Sequence, residues 1–487
     1  MELSRREFAK MIAAATVVPP TVVPRFPQSQ EQHTIGIQVG AVSFVDENVE
    51  PVLERFQSAR INALFIAAFS YGRGIAGRQV PGQPLPDHGK QEYDTSFHGG
   101  NFASTHEKFY RDTSLKKIQA PDHPGFDVLE SVLPKARSRK MKTFCWYEDV
   151  FRRDLEGVER LQEVTLSGKK AGTLCFHNPE VQAFWRALTE DYVRSYPIDG
   201  VMWGSERQGP FNNAIGSSHG AGNGDPGDVT CFCDNCKREA SSRGIDANRA
   251  VEGYTRLASL VRQSRTGSRP SDGYFVSHWR LLVQYPEILA WEKLWNDGQK
   301  STYTNIYQVA KSIRRDCAVG WHIWHNNSFS PFYRAEQDYA EFQKYSDFLK
   351  VVLYNNCGGP RLASYSKSVS RTLFGDLSPD EVLELTYKVQ NYKGEAGAEL
   401  SRKGLSANYV EREARRAVAG VGDAVKIWPG IDIDIPTGQG EKKTEPQDVR
   451  DAVRAAFSGG ADGVILSRKY SEMRLANLQA AGEAVGA

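Results

Sequence analysis

Six consecutive residues, Cys231-Phe232-Cys233-Asp234-Asn235-Cys236, carry three thiols in a C-x-C-x-x-C pattern. Thiols this close cannot all pair comfortably as local disulfides, but they can turn around one tetrahedral ion. A fourth ligand must come from elsewhere, and Cys175 in Leu174-Cys175-Phe176-His177-Asn178-Pro179 is the natural choice. The expectation is a structural Zn2+ held by Cys175, Cys231, Cys233 and Cys236, with no position open to substrate. Disulfides are the alternative in an exported protein, and free thiols a third reading.

A second group of residues gathers at the ends of apolar runs. These ends read Trp146-Tyr147-Glu148-Asp149, Trp203-Gly204-Ser205-Glu206 and Trp321-His322-Ile323-Trp324-His325-Asn326-Asn327. Three more read Tyr354-Asn355-Asn356, Trp428-Pro429-Gly430-Ile431-Asp432-Ile433-Asp434 and Ser467-Arg468-Lys469-Tyr470. A sugar stacks its apolar C–H face on an aromatic plane while its hydroxyls need many polar partners. Trp146, Trp203, Trp324 and Trp428 suit the first need; Glu148, His322, His325, Asn326, Asn355 and Arg468 suit the second. Glycoside hydrolysis also requires two carboxylates across a cleft, one to protonate the leaving oxygen and one to attack the anomeric carbon or activate water. Glu206 and Asp432 are the candidates, Asp434 can orient or replace Asp432, and Glu148 and Asp149 stand in reserve.

The elements that would position these residues are strands alternating with amphipathic helices. The expected strands are Ile35–Phe44, Ala63–Phe69, Lys142–Val150, Gly200–Ser205, Val319–His325, Leu349–Asn355, Val425–Ile433 and Gly463–Leu466. Between them, apolar residues at three-to-four spacing mark helices such as Val49–Ala59, Phe126–Arg139, Val181–Tyr196, Pro379–Tyr392 and Gln447–Phe457. Eight such units predict an α/β fold, a (β/α)8 TIM barrel spanning 31–487, whose strand C-termini carry the site. Without a Gly-rich phosphate turn after the first strand, an open doubly wound sheet is the weaker alternative. Long insertions follow strand two (Tyr71 to Pro124) and strand four, the latter a helical segment at about 207–316. In the seventh strand, alternation turns Val425, Ile427, Ile431 and Ile433 toward the outer helices, and Trp428, Gly430, Asp432 and Asp434 toward the barrel axis.

The order of motifs resembles that of glycoside hydrolase family 42 β-galactosidases. There, a cysteine followed by an N/S-x-P-like stretch opens a helix, a fourth strand ends in Asn-Glu, and a C-Y-C-x-x-C segment follows. Here the same order is Cys175 with Asn178-Pro179, then Ser205-Glu206, then Cys231 to Cys236. The resemblance covers roughly residues 175–240 and the barrel plan. It implies zinc on the four cysteines and an acid/base role for Glu206. Ser205 stands where the family has asparagine, Asp432 and Asp434 stand where it has a nucleophilic glutamate, and its trimerisation and C-terminal β domains find no room. His98-Gly99-Gly100-Asn101 through Tyr110, followed by Ala120-Pro121-Asp122-His123, is similar to a set of uncharacterised bacterial glycosyl-hydrolase-like barrels. The expectation is therefore a divergent relative: an O-glycosyl hydrolase with Glu206 as proton donor and Asp432 as nucleophile or base.

An acid at neutral pH needs a raised pKa, for which burial beside Trp203 is the expected cause. A non-hydrolytic carbohydrate-binding barrel is the alternative. A metal-dependent hydrolase using His322 and His325 with Asp432 or Asp434 is a third reading, open only if the strand has ended before His325.

Ser4-Arg5-Arg6-Glu7-Phe8-Ala9-Lys10, followed by the apolar run Met11 to Val18, looks like a twin-arginine export signal, with Ala9 in place of leucine. Residues 1–30 are set aside as a signal segment, cut between about Pro24 and Gln32, and a periplasmic or secreted protein is expected. That route carries folded proteins, which favours zinc over disulfides. The chain has 487 residues, 40% hydrophobic and 25% charged, with a formal net charge of +2. The near balance argues against nucleic-acid and membrane-surface partners; the carbohydrate substrate is expected from the strand ends.

Overall fold

The apolar runs become strands, and their polar ends leave the ladder. The structure is a computed structural model, and it describes residues 33–151, 153, 155–219 and 224–485. The export motif lies outside the described residues. The barrel strands are β1 (Thr34–Gly40), β2 (Ala63–Ser70), β3 (Lys142–Glu148), β4 (Gly200–Gly204), β5 (Ala318–Ile323) and β6 (Phe348–Val351). They continue with β7, in two pieces (Lys426–Ile427 and Gly430–Asp432), and β8 (Gly463–Ser467). All pair in parallel, in chain order from β1 to β6.

Trp428-Pro429 interrupts β7 because proline has no N–H to give the ladder. The first piece pairs with β6 and the second with β8, which returns to β1, so the sheet closes into the expected (β/α)8 barrel. Several strands stop short of the runs that suggested them: β1 gives way to the helix Ala41–Glu47, and β6 ends at Val351.

Alternation divides the apolar residues into two cores. Phe65, Phe144, Trp146, Met202, Phe348, Trp428 and Ile465 fill the barrel interior, with Phe65 on Phe144 at 4.6 Å and Phe348 on Trp428 at 4.4 Å between ring centroids. The opposite faces, including Val201, Trp203, Val319, Trp321, Ile427 and Ile431, pack beneath the helices. Large aromatics fit inside because small residues face them: a Cβ on Gly36 would meet Phe65 at 2.6 Å.

The segment after β2 is largely irregular; Gly100–Asn101 pairs antiparallel with Phe69 and Ser70. The segment after β4 holds the helices Pro210–Ala214, Asp234–Ser242, Ala247–Thr266, Tyr274–Gln284 and Glu287–Ile313. The last lies against Pro179–Ser195, where Asn305 Nδ2 donates to Gln182 Oε1 at 2.7 Å and Gln182 Nε2 to Thr302 Oγ1 at 2.9 Å. It therefore serves as the barrel's own helix between β4 and β5. Among the described residues, no helix is long and apolar enough to cross a membrane.

Candidate active site

Above the aromatic plug, the inward positions turn polar, and four strands contribute to one hydrogen-bonded chain. Lys350 of β6 is fully buried, and its Nζ has three acceptors: Gln38 Oε1 of β1 at 2.8 Å, Tyr354 OH at 2.8 Å and His322 Nδ1 of β5 at 3.1 Å. An ammonium has three N–H bonds, so this set satisfies it completely. With Nδ1 accepting, His322 carries its proton on Nε2 and donates to Glu206 Oε1 at 2.9 Å. Two glycines leave room for this chain. A Cβ on Gly430 would come within 2.7 Å of Lys350 Cε, and one on Gly204 within 3.1 Å of His322 Cβ.

Electrostatics sets apart the two acids that face this chain. Burial opposes the charged form of Glu206, but the His322 hydrogen bond and the positive charge of Arg361 outweigh it and hold the carboxyl down at about 2. Its side chain projects into the open mouth, 54% exposed. Glu148, at the end of the neighbouring strand β3, is pushed up to about 8, first by burial and then by the charge of Glu206, against the pull of Lys350, Ser70 and Arg468. Burial likewise brings Lys350 down to about 7, against the charges of Glu206 and Glu148. His322 is held below its ordinary value by burial and by Lys350, so a neutral imidazole bridges the lysine and the carboxylate. At neutral pH the mouth thus presents a protonated Glu148 beside an ionised Glu206.

The other residues singled out in the sequence fare differently. Asp432 faces inward, but it is buried and accepts from Cys357 N at 2.8 Å, Ile435 N at 3.2 Å and Thr444 Oγ1 at 3.3 Å, bonds that brace the loops after β6 and β7. Asp434 does not face the axis. Its φ of 58° ends the alternation, and its carboxylate turns to Arg474 N at 2.8 Å, Arg474 Nε at 2.9 Å and Asn477 Nδ2 at 2.9 Å, where the C-terminal helix begins.

Trp203 lies on the outer face of β4, buried against Trp185 and Tyr303 at 5.4 and 5.2 Å, and it does not desolvate Glu206. Trp146 is part of the interior plug. Trp324 and Trp428 keep only 9% and 7% exposure, so the expected open stacking platform is reduced to two edges. Asn326 is buried and tied to the loop after β4 through His219 Nδ1 at 2.9 Å and Gln208 Oε1 at 3.2 Å. Asn355 is buried too, its Oδ1 without a hydrogen-bond partner among the described residues. Arg468 forms a two-point pair with Glu472 at 3.1 and 2.7 Å.

The strand has indeed ended before His325, yet neither histidine offers a free ring nitrogen to a metal. His325 lies between Arg361 Nη1 at 3.1 Å and Tyr409 OH at 3.0 Å, and His322 is committed at both nitrogens. The sequence pattern does not mark Gln38, Lys350 or Arg361, and Tyr354 enters only as part of the end Tyr354-Asn355-Asn356. A lysine centred in an apolar strand, Phe348-Leu349-Lys350-Val351, was the signal available for one of them.

Cys175, Cys231, Cys233 and Cys236 converge with their sulfurs all within 4.8 Å of one another. Cys175 is 3.4 Å from Cys233 and 3.6 Å from Cys236, and Cys233 is 3.8 Å from Cys236. No two are bonded, and a tetrahedron with Zn–S of about 2.3 Å has edges of about 3.8 Å. The donor set and its spacing therefore fit Zn2+. Cys175 follows the hairpin of Gln162–Val164 and Lys170–Leu174 and stands just before the helix Pro179–Ser195, which Asn178 caps through Glu180 N at 3.0 Å. The hairpin reaches the mouth through Arg207, the residue after Glu206. Its guanidinium pairs with Glu163 at 2.6 Å and Asp149 at 2.8 Å and lies over the Phe176 ring at 4.4 Å.

Neither a protein-family model nor a curated protein sequence matches the chain. Among solved structures, it is similar to a polyextremophilic β-galactosidase from the Antarctic haloarchaeon Halorubrum lacusprofundi, at 13% identity and a TM-score of 0.50, over 93% of this chain and 57% of that one. It is also similar to a β-galactosidase from the psychrophilic Marinomonas ef1, at 9% identity and a TM-score of 0.50, over 93% and 59% of the two chains. The chain thus spans less than two thirds of the length of either. At these identities the likeness is one of fold.

Proposed function

We propose that the protein is a glycoside hydrolase in which Glu148 is the proton donor and Glu206 the carboxylate that attacks the anomeric carbon or activates water. The observation that carries this reading is the pair itself: two acids at the ends of adjacent strands, one backed by the Lys350–His322 chain and ionised, the other kept protonated at neutral pH. Environments that drive paired carboxyls apart are what acid and base roles require. The fold shared with two β-galactosidases supports it. Asp432, first paired with Glu206 on strand order, becomes a brace because its oxygens are committed to three donors.

In this reading, His322 orients the Glu206 carboxylate through its Nε2–H. Lys350 fixes the tautomer that makes that donation possible, and Gln38 and Tyr354 hold the lysine in place. The four cysteines would hold a structural zinc, whose chemistry is to close the loop: all four positions are thiolates and none is left for substrate. By fixing the hairpin that carries Glu163, the site would hold Arg207 and hence the main chain at Glu206. Export to the periplasm rests on residues 4–10.

A panel of 4-nitrophenyl glycosides tests the reading. At least one should be turned over, and Glu206→Gln should lower kcat/KM by about 1,000-fold. An E206Q protein of full activity would overturn the assignment. Tight sugar binding with no turnover on any glycoside would favour the carbohydrate-binding alternative.

A further inference from the structure

Guanidinium groups elsewhere in this face, from nearly buried to half-exposed, have acidic partners. Arg207 pairs with Asp149 and Glu163, Arg468 with Glu472 and Arg474 with Asp434, each within 3 Å. Arg361, in the first turn of the helix Gly358–Val369 after β6, has no carboxylate within ion-pair distance among the described residues. Its Nη1 reaches His325 Nδ1 at 3.1 Å, and its guanidinium carbon stands 5.6 Å from the centre of the Tyr354 ring.

His325 does not share the charge. With Arg361 donating to Nδ1, its Nε2–H goes to Tyr409 OH at 3.0 Å, and burial holds the ring well below its ordinary pKa. The contact therefore fixes one edge of a planar fork and, among the described residues, leaves the remaining N–H groups of a donor-only side chain uncommitted. Its charge acts on Glu206, the acid held by His322, as well as on Asp432. A half-buried guanidinium without a counter-ion is costly, and a ligand that brings a planar anion offsets the cost.

We infer that Arg361 is a specificity-determining residue that selects glycosides bearing an anionic group, a carboxylate or a sulfate ester. The inference rests on the glycosidase reading for the word glycoside, but not for the anion site. A carboxylate or sulfate oxygen pair would lie along the free edge of the guanidinium, in the geometry that favours arginine over lysine. Glu206 accepts from His322 at 2.9 Å, and among the described residues no hydrogen bond joins it to the fork.

The test compares wild type, Arg361→Gln and Arg361→Lys in two arms. In the first, 4-methylumbelliferyl uronides, 6-sulfated hexosides and neutral hexosides of matched ring stereochemistry are assayed for kcat/KM. In the second, free hexuronate, hexose 6-sulfate and hexose are titrated calorimetrically. Wild type should prefer an anionic member over its neutral counterpart, and which anion wins distinguishes carboxylate from sulfate. R361Q should lower that preference about 10- to 100-fold. R361K, which keeps the charge and loses the fork, should fall between and stands in if R361Q fails to fold. Turnover of neutral glycosides with no anionic preference in either arm would overturn the inference and leave the glycosidase reading standing. Anion binding that is lost in R361Q, with no turnover by wild type, would overturn the glycosidase reading and support the anion site.

Discussion

Replacing Glu148 by glutamine separates the cost of an ionised acid in the mouth from the rest of the fold. The rise of the Glu148 carboxyl from 4.5 to about 8 means that the folded protein holds this proton more tightly than the unfolded chain does. Below pH 4.5 both states keep the proton. As the pH rises from there through 8, the unfolded chain gives it up first, and wild type loses stability. At about 1.4 kcal/mol per pKa unit, a fully enclosed group would lose about 5 kcal/mol over that range. The carboxyl borders an open mouth, and solvent screening reduces the figure to about 2 kcal/mol. Glutamine carries no such pH-dependent cost. The melting temperature of E148Q relative to wild type should therefore climb by about 2 °C between pH 5 and pH 8.5, since a chain of this size has a large unfolding entropy. Differential scanning calorimetry at matched ionic strength measures the difference, and titrating groups that do not interact with Glu148 cancel in it. A difference that is flat with pH, or that falls, would refute the argument that Glu148 is protonated at neutral pH.

Lys350→Met removes all three of its hydrogen bonds and frees His322 to change tautomer, so kcat/KM should fall about 100-fold, the cost of a misplaced catalytic group. Retention of wild-type kcat/KM would deny Lys350 its positioning role. Metal analysis of the purified protein should find about one zinc per chain. Cys236→Ser should lose it and melt earlier, with Arg207 and Glu206 displaced as the hairpin loosens. A zinc-free protein of unchanged melting temperature would refute the metal assignment.

Much of the fold was legible because its signals are local. Apolar runs separated by amphipathic segments mark eight strands whatever the side chains at their ends do, and the close spacing of Cys231, Cys233 and Cys236 brings three ligands together before any tertiary contact forms. Alternation also sorted Trp428 and Asp432 inward and Ile427 and Ile431 outward. It failed at Asp434, where a left-handed residue breaks the two-residue period. It also says nothing about layers: Trp146 and Trp203 end their strands in the same way, yet one plugs the barrel and the other lies under the helices. The working chain was illegible for a different reason. Gln38, Lys350 and Tyr354 come from β1, from β6 and from just beyond β6, and only closure of the barrel joins them. The pairing of Glu206 with Asp432 followed from counting strands, whereas the state of each acid depends on neighbours no spacing reveals.

The pH dependence of kcat/KM on a glycoside with a poor leaving group tests the central claim most directly, because such a substrate needs its proton donor. Wild-type activity should fall tenfold per pH unit above about 8, where Glu148 loses its proton. E148Q should be depressed throughout and lack the limb above 8, keeping only the response of Lys350 near 7. A basic limb that persists unchanged in E148Q would contradict the account.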